Sequence, residues 1–112
     1  MLEVDMRPIR GILFVRLSGV LNKKNIDKLK AVIHFQKEVG IKNIVFNINE
    51  LEDMDKAGKG ALIRSLNLCK KSNGQSFICL NDNANLLNKL KDSVMVSDFV
   101  TDELAAVNLI NS

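Results

Sequence analysis

Polar and apolar positions alternate from the start of the chain. Leu2, Val4 and Met6 are interleaved with Glu3, Asp5 and Arg7, the period of two of a half-buried strand. Pro8 to Gly11 supplies turn chemistry. Ile12-Leu-Phe-Val-Arg-Leu17 predicts a second strand, rich in the β-branched and aromatic side chains that suit a pleated surface. These two strands are expected to form an antiparallel hairpin. Residues 18–22 read as a loop, with Asn22 or Asn25 positioned to cap the helix that follows. Ile26, Leu29, Val32, Ile33 and Val39 recur at three- and four-residue steps, so an amphipathic helix is predicted there, closed by Gly40. Ile41 to Ile48 is nearly all apolar, as in a strand covered on both faces. Ala57, Ala61, Leu62, Leu66 and Cys69 then make a helical stripe to about Ser72, ended by Asn73-Gly74. Ser76 to Leu80 predicts a further buried strand, and Asn81 to Asn85 opens a short helix carrying Leu86, Leu87 and Leu90. Val96 to Val100 predicts a short edge strand. Thr101-Asp-Glu103 caps a last helix in which Leu104, Val107 and Ile110 are expected to face inward.

The resulting order is ββαβαβα(β)α: an α/β fold with a mixed, mostly parallel sheet of roughly 4–5 strands, about four helices and right-handed crossovers. A chain of 112 residues fits one domain, 1–112, and its 46% hydrophobic and 26% charged residues suffice for a core. With no Trp or Tyr and five Phe, that core must be mainly aliphatic. A net charge of +3 with so few aromatic side chains argues against nucleic-acid binding. Acids within the first residues are unlike a signal peptide, and no window has the roughly 18 apolar residues of a membrane span. Cys69 and Cys79 form no disulfide framework and sit in apolar runs, so buried free thiols and a cytoplasmic location are expected.

The chemistry concentrates at one junction. Four of the seven residues from Asn49 to Asp55 are acidic, whereas 56–72 holds no acid but includes Lys56, Lys59, Arg64, Lys70 and Lys71. A strand is thus expected to empty into an acidic loop, after which a helix begins with the charge sign reversed. Loops at the carboxyl ends of strands are where open α/β sheets place function. Glu50, Glu52, Asp53 and Asp55 are hard-cation ligand types, but their spacing is not that of a calcium loop and a solvated acidic loop is the simpler reading. Asp55 is expected to cap the second helix. Gly58-Lys-Gly60 lacks both the upstream glycine and the downstream hydroxyl of a P-loop; Asp53 and Gly60 stand there instead. The two glycines either let loop and sheet pack closely or let a partner's backbone approach. His34, the single histidine, falls mid-helix with no nucleophile to serve, so no catalytic constellation, cofactor or metal is expected.

Leu51-Glu-Asp-Met-Asp-Lys-Ala-Gly-Lys-Gly60, between a strand and a helix, resembles the signature of STAS domains, the anti-sigma factor antagonist family. The family pattern runs apolar-Asp-Ser-Ser-Gly-Leu-Gly, onto which Asp55, Gly58 and Gly60 fall. Lys56 and Ala57 replace the two serines and Lys59 the leucine. Leu17-Ser-Gly-Val-Leu21 is similar to the family's approach to its first helix, with Asn22 in place of Asp, and the whole element order matches. The resemblance implies a non-catalytic protein that binds an anti-sigma factor, typically a serine kinase of the histidine-kinase-like ATPase fold, and so releases a sigma factor. It implies a partner surface of Leu21, Asn22, Met54, Asp55, Lys56, Ala57, Gly58, Lys59 and Gly60. In the family the second serine is phosphorylated, and that charge breaks the complex; Ala57 has no hydroxyl to accept it. Two alternatives stand beside this reading: an accessory subunit of a transporter or larger signalling assembly, and a small-molecule or anion binder at the acidic-to-basic junction.

Overall fold

In a computed structural model describing residues 1–112, the alternating start of the chain forms β1 (Leu2–Ile9), which turns back into β2 (Ile12–Leu21). The connection is a two-residue turn at Arg10 and Gly11, with φ of 50° and 81°, closed by the Ile9–Ile12 pair. Positive φ at both positions matches the turn to the strand twist, and glycine takes one of the two without a steric penalty. The chain then runs through α1 (Ile26–Val39), β3 (Asn43–Met54), α2 (Lys56–Lys71), β4 (Ser76–Cys79), α3 (Ala84–Leu90), a 3-10 turn (Val96–Asp98), β5 (Phe99–Val100) and α4 (Glu103–Ile110). The five strands lie in the order β1-β2-β3-β4-β5, with β1 antiparallel to β2 and all other neighbours parallel.

Alternation sorts the two faces of this sheet. Leu13, Val15 and Leu17 of β2, Ile44, Phe46 and Ile48 of β3 and Ile78 of β4 share one core with Leu29 and Val32 of α1, Leu62 and Leu66 of α2, and Leu86 and Leu90 of α3. On the other face Ile12, Val45, Phe77 and Cys79 meet Ala106 of α4, with Phe14, Val107 and Ile110 at the margin. The second face is therefore covered by one helix only.

Several boundaries differ from the pattern-based expectation. β2 continues through residues 18–21, which were expected as a loop, and β4 ends at Cys79. The expected edge strand over 96–100 shrinks to Phe99–Val100, preceded by the 3-10 turn. Val39, Leu87 and Leu104 are exposed rather than inward. Asn25 occupies the N-cap position of α1 without a capping bond; its side chain accepts from the Asn22 amide at 2.9 Å and donates to the Val20 carbonyl at 2.8 Å, tying the loop to β2.

Between α1 and α2 two polar residues that the hydrophobic stripes do not reveal, Gln36 and Ser65, are fully packed away. They satisfy one another: the Ser65 hydroxyl donates to Gln36 Oε1, and Gln36 Nε2 donates to the Ser65 carbonyl at 3.2 Å. Such pairing offsets the desolvation of burying amide and hydroxyl groups.

Cys69 and Cys79 are both buried and free. Burial pushes the Cys79 thiol up to about 12, aided by the nearby Glu103 and Asp102 charges, and raises that of Cys69 as well. Because the thiolate is the reactive form, neither should react rapidly with a thiol reagent under native conditions, and both should react once the protein is unfolded. Rapid native labelling of either would contradict this packing.

Candidate functional site

The acidic stretch is strand, not loop. Ile44, Phe46 and Ile48 reach the core by alternation, and the register with β2 then slips twice, between Arg16 and Ser18 and between Gly19 and Val20. Each slip is a bulge that puts one extra residue into β3. The next core positions are therefore Leu51 and Met54, three apart and both buried. Glu50 and Glu52 are left exposed, while Asp53 turns toward α3. There it pairs with the Lys89 ammonium and accepts from Asn85 Nδ2 at 3.0 Å. Lys89 also donates to the Met54 carbonyl at 2.8 Å, and Asn83 Nδ2 donates to the Leu51 carbonyl at 3.4 Å. α3 thus holds the bulged end of β3 in place. The carboxylates do not converge: no three His, Cys, Asp or Glu side chains are grouped as metal ligands would be.

Asp55 is the hub where β2, β3, α1 and α2 meet. Its amide donates to the Leu21 carbonyl at 3.1 Å. Its carboxylate accepts from the Gly58 amide at 2.8 Å, capping α2 as expected, and from the Lys23 amide at 2.9 Å, which the sequence does not foretell. Both bonds favour the ionised form, Gly58 most, so the Asp55 carboxyl is held below the ordinary range. Asp53 is lowered chiefly by Lys89, and Glu103 by Arg16. A carboxyl whose folded pKa is depressed adds stability that is complete above its unfolded value of about 4 and is lost as pH falls through the lower folded value. The thermal midpoint should therefore stay level from neutrality to about pH 5 and drop below about pH 4. In Asp55→Asn part of that drop should disappear; an identical acid limb in the variant would show that the carboxylate bonds are not made in solution.

All nine residues of the expected partner surface gather at this end of the sheet, but at different depths. Leu21, Met54 and Gly58 are buried and lie beneath the other six. Asn22, Ala57 and Lys59 are half-exposed, and Asp55, Lys56 and Gly60 are exposed. Three residues of the α3 segment that no sequence pattern singles out join them: Asn88, Lys89 and Asp92, with Met54, Asp55, Lys56 and Lys59, border an open groove of about 340 Å³. Only the fold brings Lys89 beside a strand 36 residues earlier. A second groove, of about 370 Å³, lies on the opposite sheet face among Glu3, Asp5, Arg16, Ser18, Asn47 and Glu50. Its one cation, Arg16, is committed to Glu103 through two 2.8 Å bonds.

Residues 3–86 match the STAS domain family. Over 83 residues, 70% of this chain and 68% of the relative, the protein is 29% identical to an anti-sigma F factor antagonist of Paenibacillus polymyxa. The fold is shared with the Bacillus cell fate determinant SpoIIAA in its phosphorylated form, at 18% identity and a TM-score of 0.79, over 96% of this chain and 99% of that one. It is also shared, at 18% identity and a TM-score of 0.73, with part of a murine solute carrier 26 family anion transporter, where 94% of this chain overlays 18% of that protein. These structural likenesses concern the fold alone. With the ββαβαβαβα order, the Asp55-capped second helix and this match, the chain belongs to the STAS domain family.

Proposed function

We propose that this protein is a non-catalytic regulator that binds an anti-sigma factor through the surface at the start of α2 and thereby frees a sigma factor. One observation carries most weight. Asp55 uses both carboxylate oxygens and its own amide to lock the β2–α1 loop onto the first turn of α2. Asn22, Lys56, Ala57, Lys59 and Gly60 are thereby presented on a fixed frame, with little ordering left to do on association. The kinship to a protein named as an anti-sigma F factor antagonist supports the choice of partner. No helix is long and apolar enough to cross a membrane.

The partner in this reading is a serine kinase, yet its usual control is missing here. Ala57 carries no hydroxyl, and Ser65, the one serine within α2, is buried against Gln36. Incubation with the kinase and ATP should leave the intact mass unchanged. A stoichiometric phosphate at Ser65 would require α1 and α2 to separate and would overturn this account of the switch. Binding itself is tested by retrieving partners of the full chain from native lysate and identifying them by mass spectrometry. Recovery of an anti-sigma factor is expected; recovery of a transporter ATPase instead would favour an accessory-subunit role.

A further inference from the structure

We infer that the surface around Asp55 receives a carboxylate-rich face of its protein partner, which deepens the reading above by assigning the chemistry of the partner's contact. Four lysines ring this point. The Lys23 amide is bonded to the Asp55 carboxylate, Lys24 follows it, Lys56 is the next residue after Asp55, and the Lys59 amide bonds to the Asp55 carbonyl at 2.9 Å. Lys23, Lys24 and Lys56 are exposed and Lys59 is half-exposed. None of the four takes part in an ion pair, whereas Lys30, Lys70, Lys89, Arg7 and Arg16 all do. The acid at their centre directs its two oxygens to the Lys23 and Gly58 backbone amides and forms an ion pair with none of the four, so it offsets one positive charge at most. Across the groove, Asp53 is taken by Lys89, leaving Asp92 as the acid that marks the far rim.

The backbone adds to this excess. The amino-terminal end of a helix carries partial positive charge, where acids are favourable and cations are not. α2 has no acid in its first turn and begins with Lys56. Two like charges on adjacent turns at the positive end of a 16-residue helix raise the energy of the free protein. Carboxylates from a partner relieve that strain at association, and they do so in partly desolvated surroundings where the attraction is stronger than in water. Lys56 and Lys59 are thus unfavourable in isolation and favourable in a complex.

The test uses two probes. In the first, an oligoglutamate peptide is titrated into the full chain while amide chemical shifts are followed. Shifts are expected at residues 22–24 and 55–60 but not at Lys37 or Lys71, which lie at the far ends of α1 and α2. They should vanish in Lys56→Glu/Lys59→Glu, whose fold is safe because acids suit that helix end. Unmoved amides around Asp55, or equal shifts at every lysine, would overturn the inference. In the second, affinity for the purified anti-sigma factor is measured as salt rises from about 50 to about 500 mM, with a fall of roughly tenfold expected from screening. An at least tenfold loss is expected in the charge-reversed variant. A complex that forms equally well in all these conditions refutes the inference and leaves the proposed function standing. Absence of any complex with wild-type protein removes the proposed function instead, and the peptide titration then decides the inference by itself.

Discussion

Gly58→Ala is expected to destabilise the protein by roughly 1–3 kcal/mol, whereas Gly60→Ala, two residues along the same helix, is expected to stabilise it by about 0.5–1 kcal/mol. The difference is one of surroundings, not of residue type. A Cβ at position 58 would stand 2.7 Å from both the Cγ and the carbonyl oxygen of Leu21. The leucine side chain can move, but the carbonyl is fixed by its bond to the Asp55 amide and by the end of β2. The added methyl therefore pushes α2 off the sheet at the point where the Asp55 clamp holds it. At position 60 nothing lies within 4 Å, so alanine only removes freedom from the unfolded chain and improves helix propensity. Of the two roles open to these glycines, Gly58 takes close packing, and Gly60 alone leaves open space for a partner. Urea or thermal denaturation of the two variants measures the contrast. Equal midpoints would mean that α2 does not approach Leu21 this closely.

The pattern of the sequence makes most of this fold legible, and its failures have identifiable causes. The nearly continuous apolar runs Ile12–Leu17 and Ile44–Ile48 mark β2 and β3, because these strands bury side chains on both sheet faces: Leu13, Val15, Leu17, Ile44, Phe46 and Ile48 on one, Ile12 and Val45 on the other. Past Ile48 the same strand reads as a loop. The two bulges set Leu51 and Met54 at steps of three, and acids fill the positions between. A period of three carries no strand signal. In α4 Val107 and Ile110 pack against the sheet as expected, and Leu104 alone is misplaced. Glu103 is anchored to Arg16 and Asn47 on the sheet, which brings Ala106, three residues on, over the core and turns Leu104 outward. Small Ala106 is weak in a hydrophobic pattern, whereas Leu104 is strong, so the pattern overlooks the one and turns the other inward. At the site, Asp55 is readable because capping is local. Its bond to Lys23, and the hold of Lys89 on Asp53, span 32 and 36 residues and leave no mark in spacing.

Ala57→Glu is expected to lower affinity for the anti-sigma factor by ten- to hundredfold, about 1.4–2.8 kcal/mol, while leaving the fold intact. Ala57 is the second residue of α2 and is half-exposed. A carboxylate at that turn is favourable to the helix by about 0.3–1 kcal/mol, so the melting temperature should hold or rise slightly. In the complex the same carboxylate meets a surface inferred to be acidic, and repulsion adds to desolvation. Lys56 and Lys59 flank the position and can neutralise the new charge in place. The informative comparison is consequently a cycle: Ala57→Glu alone, Lys56→Ser/Lys59→Leu, and the triple variant. The loss caused by glutamate should be larger when the lysines are gone. If glutamate costs nothing in either background, residue 57 lies outside the interface.

Hydrogen–deuterium exchange of the full chain with and without the anti-sigma factor locates the contact without any substitution. Protection on binding is expected at the amides of residues 22–25 and 55–60, spreading into the last turn of α3 along the groove that contains Lys89. The opposite sheet face, with Glu3, Asp5, Asn47 and Glu50, should exchange at the same rate in both states. Protection confined to that second groove, with residues 55–60 unchanged, would contradict the claim that the start of α2 is the partner-binding surface.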